Sequence, residues 1–163
     1  EKVVVITEPA FNADGSLAPY TRAPTIKRKT ADQIVNNSGV LVNDTHLLLA
    51  MAANEVWVID LILYYVSASA TPDIRVSATI PSGVASWVAW GLDAADAIYI
   101  YTRDVPNYPV FGTSTILRLA RVTFTVVNGA TAGNFQIQWC QNTATAEDTK
   151  VLTNSCLIAH KLA

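Results

Sequence analysis

The most apolar stretch of this 163-residue chain reads Val56-Trp57-Val58-Ile59-Asp60-Leu61-Ile62-Leu63-Tyr64-Tyr65-Val66. Its β-branched and aromatic residues are typical of a strand, in which successive side chains point to opposite faces. Both faces are apolar apart from Asp60, which indicates a central strand covered on both sides. One face of a two-layer sandwich normally contacts water, so we predict that the even-numbered face meets another subunit. The candidate contacts on it are Val58, Asp60, Ile62 and Tyr64.

Apolar and polar residues alternate with a period of two along much of the chain, and turn-forming residues such as Pro81-Ser82-Gly83 interrupt this alternation. The apolar positions change face near Arg121, which predicts a bulge there or a strand that passes between neighbours. No helical period is longer than about two turns, and residues 94–97 and 143–148 could each hold a single turn. We predict an all-β fold, an antiparallel β-sandwich of jelly-roll-like type over residues 26–163. The predicted strands are 2–7, 26–35, 40–50 (with a break at Asp44 left open), 55–67, 73–80, 84–91, 97–102, 115–127, 133–141 and 151–162.

Two proline-containing segments stand apart from this ladder. Residues 1–25 lack periodicity over most of their length, so we expect an extended N-terminal arm that is ordered only against its own body or a neighbour. Its candidate contacts are Pro9, Pro19, Tyr20 and Pro24. Residues 103–114 carry two prolines and a glycine around Tyr108 and Phe111. This loop is either a binding tip, stiffened by its prolines, or a plug folded back over the end of the sandwich.

The composition points to assembly and excludes some function classes. Charged residues make up only 15% of the chain, against roughly 25% in ordinary soluble domains. A surface this poor in charge is consistent with burial against copies of the same chain. We therefore expect a closed homo-oligomer, and a trimer is the oligomer that we favour. The net charge of −2 offers no basic footprint for nucleic acid. The cluster Lys27-Arg28-Lys29 is expected at a solvated strand edge. No stretch reaches the roughly 18 unbroken apolar residues of a membrane span.

No catalytic, metal or cofactor motif is present in the sequence. His46 and His160 are the only histidines, and neither lies in a metal-ligand spacing. Asp60 is expected in a structural ion pair or a subunit contact, because a buried carboxylate needs a partner. Cys140 and Cys156 are expected as free, half-buried thiols, although neighbouring strands would allow a bridge. We therefore predict a non-enzymatic protein without cofactors.

A pattern of turns and strands recurs over about residues 29–160, namely 29–38, Asn43-Asp44, 47–50, 53–57, 71–74, 80–83, 128–139 and 141–144. In this pattern the chain resembles small β-sandwich structural proteins of tailed bacteriophages. The resemblance implies a place on the virion surface. One hypothesis is a capsid decoration (cement) protein, whose trimers bind the major capsid protein through the arm. The alternative is a tail-fibre or receptor-binding head, whose Tyr108 and Phe111 loop contacts a host glycan.

Overall fold

The computed structural model describes residues 23–105 and 107–163, and these residues form strands without any helix. The predicted strand 2–7 and the arm residues Pro9, Pro19 and Tyr20 lie outside them. Pro24 is described, is exposed, and directly precedes the first strand. The strands are β1 (Thr25–Arg28), β2 (Gln33–Asn36), β3 (Val42–Met51), β4 (Val56–Ser67), β5 (Ile74–Thr79), β6 (Val84–Leu92), β7 (Ile98–Asp104), β8 (Val110–Phe111), β9 (Arg118–Val127), β10 (Gly133–Gln141), β11 (Asp148–Val151) and β12 (Cys156–Lys161).

The strands form two antiparallel sheets, which confirms the predicted all-β sandwich. The large sheet has the order β1-β12-β4-β9-β6-β7, and β11 pairs with both β4 and β2. The small sheet has the order β3-β10-β5-β8. Most connections between β3 and β11 lead from one sheet to the other, as in a jelly roll, and the β6–β7 hairpin is an exception. β1 begins at Thr25, one residue before the predicted start of the sandwich.

The core lies between the sheets and follows the alternation in β4. Trp57, Ile59, Leu61, Leu63 and Tyr65 all point inward and are buried. Every second residue of β10 meets them from the small sheet, where Phe135, Ile137 and Trp139 are also buried. The Phe124 and Phe135 rings join the layers edge to face, with centroids 5.2 Å apart. Such burial is the main stabilising contribution to a fold of this kind.

Two long predicted strands differ from those in the structure. The run 26–35 is divided into β1 and β2, and the run 151–162 is reduced to β12, with Val151 as the last residue of a separate strand, β11. As a result, β12 and β11 pair with successive parts of β4. On their other sides, β12 pairs with β1 and β11 pairs with β2. Asp32 holds the two turns together, because its carboxylate accepts hydrogen bonds from the Thr153 backbone N–H and hydroxyl.

Neither the bulge nor the change of neighbour predicted near Arg121 is present, because β9 pairs with β4 in one continuous register from Val127 to Arg118. Only its pairing with β6 ends at Arg121. The inward position at its start is taken by Arg118, so Leu119 points outward. The irregularity lies in β3 instead, at the predicted break. Gln136 faces Leu48, but Gln138 faces Asn43. Neither 94–97 nor 143–148 forms a helix, but the Asp96 N–H donates to the Asp93 carbonyl at 3.1 Å and closes a single turn at the first of these segments.

Lys29 is not on a solvated edge but in the interior. Its Nζ lies 2.7 Å from Asp44 Oδ2, and both side chains are wholly buried. The other Asp44 oxygen accepts hydrogen bonds from the backbone N–H groups of His46 and Leu47, at 2.9 and 3.0 Å. The β3 bulge therefore wraps around a carboxylate, and Lys29 connects it to the chain just after β1. A charge adjacent to two exposed cations looks solvated in the sequence, and only the pairing of distant segments reveals its partner.

Candidate assembly surface

The side chains of the large sheet that point away from the small sheet form one continuous surface, called here the outer sheet face. Directly paired residues of adjacent strands share a face, so the register defines its rows. One row contains Ile26, Ile158, Asp60, Thr123, Val88 and Thr102. The next contains Arg28, Cys156, Ile62, Arg121, Trp90 and Ile100. The predicted contacts Val58, Asp60, Ile62 and Tyr64 all lie on this face, along β4.

The outer sheet face is rich in exposed apolar side chains. Exposure reaches 83% for Ile98, 63% for Ile100 and 60% for Ile26. The further exposed members are Val84, Trp90, Leu119 and Val127. The even-numbered side chains of β4 are half-buried, because β4 lies in the middle of the sheet and its neighbours crowd it from both sides. One row of the face, His160, Val58, Thr125, Ser86 and Asp104, is largely polar. Single exposed apolar residues are ordinary, but this many on one sheet face indicate an interaction surface.

The part of this face on β6 and β7 was not predicted from the sequence. Residues 84–92 alternate between the core residues Ala85, Trp87 and Ala89 and the outward residues Val84, Val88 and Trp90. This is the same two-sided apolar pattern that marks β4, and it could have been found in the sequence. The contribution of Ile98 and Ile100 depends on the hairpin register, which sets them opposite Leu92 and Trp90.

The charges at the centre of the outer sheet face neutralise each other. Arg121 Nη2 lies 2.9 Å from Asp60 Oδ2, and the Thr123 hydroxyl donates to Asp60 Oδ1. Burial pushes the pKa of Asp60 upward, but the hydrogen bonds from Arg121 and Thr123 outweigh it and hold the pKa below its usual value. The Arg121 guanidinium also lies 5.9 Å from the centre of the Trp90 ring. Of the two expected roles of Asp60, the structure shows the ion pair; the subunit contact remains a prediction.

The two aromatic residues of the predicted binding loop have different environments. Phe111 is completely buried, so its assignment to an accessible binding tip is wrong. It pairs with Ile74 across β8 and β5 and packs near Tyr65, with ring centroids 6.5 Å apart. Gly91 leaves the room for it, because a Cβ there would lie 2.6 Å from the Phe111 ring. The plug interpretation therefore holds for Phe111.

Tyr108 remains at the surface, with 41% of its side chain exposed. The Arg75 guanidinium stacks on its ring at 4.6 Å. Together with Tyr101, Arg103 and Asn107, Tyr108 lines an open cleft of about 360 Å³. Aromatic rings beside guanidinium and amide groups can contact the faces and hydroxyls of a sugar.

Reactive and metal-binding groups are sparse in the described residues. Among residues 23–105 and 107–163, no three His, Cys, Asp or Glu side chains are grouped so as to hold a metal ion. His46 contacts the hydroxyls of Thr30 and Thr45. Cys140 and Cys156 are unbridged, and burial raises the pKa of both thiols. The described residues also contain no helix long and apolar enough to cross a membrane.

Comparison with known proteins gives no family. No protein-family model and no curated protein matches the chain. Among solved structures, the chain is similar to that of infectious bursal disease virus Gx strain, at 10% identity and a TM-score of 0.23. The match covers 98% of this chain and 45% of that one. The VP2 subviral particle of infectious bursal disease virus matches at 10% identity and a TM-score of 0.22, over 98% of this chain and 44% of that one. The chain thus spans less than half of these neighbours, and scores this low carry no argument about function.

Fold and surface together define an all-β, two-sheet sandwich protein with a wide apolar sheet face.

Proposed function

We propose that this chain is a non-enzymatic virion structural protein that assembles through its outer sheet face, and that it decorates a capsid. The observation that carries the proposal is the apolar outer sheet face, which no described part of the chain covers. Leaving such a surface in water is unfavourable by about 25 cal/mol for each Å² of apolar area. A second subunit or a capsid protein that docks there removes this cost.

The dimensions of the face suit a stable interface. Its six strands span five spacings of about 4.8 Å, and the paired length is roughly 25 Å. The flat area of the sheet is therefore on the order of 600 Å², and the protruding side chains add to it. A standard interface buries about 800 Å² per partner. The Asp60–Arg121 pair lies near the centre, so docking leaves no isolated charge buried there. An unpaired buried charge would oppose association strongly.

The place on a virion is supported by the resemblance of residues 29–160 to phage structural β-sandwich proteins. On this proposal the chain has two kinds of partner. It forms a trimer with other copies of itself, and it binds the major capsid protein. The chain lies on the particle surface, and neither nucleic acid nor a membrane is a partner. It holds no cofactor and carries out no reaction. The arm, residues 1–25, remains the candidate for contact with the capsid protein.

A receptor-binding head is the second candidate, and one observation favours it. The cleft around Tyr108 is open to solvent and combines two tyrosines with Arg103 and Asn107. This combination suits a host glycan. The two functions separate in one comparison: Tyr108→Ala should leave capsid binding intact for a decoration protein and should abolish adsorption to host cells for a receptor-binding head.

The assembly proposal is tested by placing a charge on the outer sheet face. Leu119 is half exposed on β9, beside Tyr64, so Leu119→Lys should leave the fold intact. Association measured by sedimentation velocity, and binding to undecorated capsids, should each weaken at least tenfold. Val40→Lys is the matched control, because Val40 is 72% exposed but lies in the connection between β2 and β3. A wild-type protein that stays monomeric at micromolar concentration and ignores capsids would contradict the proposal.

A further inference from the structure

The sheet edges of the sandwich are protected to different degrees. β1 and β2 are short, and Lys27 and Arg28 on β1 discourage pairing. One end of the β3 edge is occupied by a side chain: Gln33 Nε2 donates to the Asn43 carbonyl at 3.0 Å, and Gln33 Oε1 accepts from the Thr45 N–H at 2.9 Å. β8 is only two residues long. β7 is also an edge strand; it has seven residues and carries the most exposed isoleucines of the outer sheet face.

The hydrogen-bond pattern shows which groups of β7 are open. The Val105 N–H donates to the Ala85 carbonyl at 2.9 Å. Hydrogen-bonded pairs alternate in an antiparallel ladder, so the odd-numbered residues of β7 bond to β6 and the even-numbered ones turn outward. Within the described part of the chain, no hydrogen bond reaches the outward N–H and C=O groups of Ile98, Ile100 and Thr102. A bare edge of this kind is a template for another strand.

Residues 2–7, Lys-Val-Val-Val-Ile-Thr, have the composition that such an edge accepts. Their β-branched residues favour a strand. An antiparallel register that sets Lys2 beside Asp104 also sets Val4 beside Thr102 and Ile6 beside Ile100. This register places opposite charges together at one end and pairs the apolar Ile6 with Ile100 on the outer sheet face.

The length of residues 8–22, which connect the arm strand to β1, decides which β7 edge residues 2–7 can reach. The chain enters the described structure beside β1, and β7 is five strands away, about 24 Å. Residues 8–22 can extend to roughly 50 Å, which reaches β7 of the same copy or of a neighbour. A path to the edge of its own copy across the outer sheet face would cover the surface proposed for assembly. The neighbour is therefore the occupant that agrees with the proposed function.

We infer that residues 2–7 of a second copy add as an antiparallel strand to β7, an exchange that links subunits head to tail. The inference rests on the proposed assembly function. It is tested with two full-length variants that each block one half of the exchange. Ile100→Pro removes an outward N–H and spares the bonds between β6 and β7. Val4→Pro with Ile6→Pro disables the arm. Ile100→Thr keeps the N–H and serves as the matched control.

Each proline variant alone should associate at least tenfold more weakly than the wild type in sedimentation velocity, and Ile100→Thr should stay within about threefold. An equimolar mixture of the two proline variants should form a two-chain complex, because it contains one intact arm and one intact edge. Folding is checked by near-UV circular dichroism. If Ile100→Pro does not fold, Thr102→Pro takes its place.

A mixture of folded variants that associates no better than either one overturns the inference. So does a lower melting temperature of the arm variant with unchanged association, which would mean that the arm pairs within its own copy. If Leu119→Lys dissociates the protein and both proline variants leave association unchanged, assembly through the outer sheet face stands and strand exchange falls.

Discussion

Removing one member of the buried ion pair between Lys29 and Asp44 should destabilise the protein far more than removing an exposed charge, because the other charge is left buried without its partner. Asp44→Asn leaves the ammonium group buried with only a neutral amide beside it. Lys29→Met leaves the carboxylate with two backbone N–H donors and no cation. Removing one member of a buried pair costs about 3–5 kcal/mol, a large share of the roughly 5–15 kcal/mol that stabilises an average domain. At this chain length about 4 kcal/mol corresponds to a drop in melting temperature of roughly 10 °C.

The double variant Lys29→Met/Asp44→Asn separates charge pairing from packing. It removes both charges together, so its loss of unfolding free energy should be smaller than the sum of the single losses by about 1–3 kcal/mol. The measurement is guanidinium unfolding followed by tryptophan fluorescence. Lys150→Met is the control: Lys150 and Asp148 form an exposed pair 3.8 Å apart, and such pairs contribute about 0–1 kcal/mol. Strictly additive losses, or single losses no larger than the control, would refute the assigned role of the pair.

Two further predictions concern the outer sheet face. The pKa of Asp60 lies below its unfolded value, so the stability it contributes is present above the unfolded pKa and is lost as the pH falls through the folded pKa. The difference in urea midpoint between the wild type and Asp60→Asn should therefore be present at pH 7 and shrink below about pH 4; a constant difference would contradict this. In a Cys140→Ala background, alkylation of Cys156 should be slow, because burial raises its pKa, and should slow further as concentration promotes assembly. Leu119→Lys should remove that concentration dependence, and a rate independent of concentration in the parent would count against docking at this face.

The part of the fold that could be predicted from the sequence is the part in which apolar residues recur at every second position. β4, β5, β6 and β10 lie within one or two residues of their predicted bounds, because in each of them apolar side chains recur at every second position over most of the strand. The division of 26–35 into two strands was missed, since it depends on which partners pair with each half. For the candidate surface, the two-sided apolar pattern of β4 indicated a central strand, which the structure shows. Contact of its outer side with a subunit stays a prediction, and the same pattern in β6 was overlooked.

The sequence by itself determined the class of fold and its central strand. A period of two with β-branched residues is a local property, and it is enough to specify strands, turns and an inward face. Only the tertiary structure decided the environment of Lys29 and Phe111, because burial depends on what distant segments bring to the same place. Lys29 becomes an interior charge when the β3 bulge supplies Asp44, and Phe111 becomes core when Gly91 on another strand leaves room for its ring. The same holds for β7: its isoleucines are ordinary strand residues in the sequence, and the order of the strands makes them an open edge.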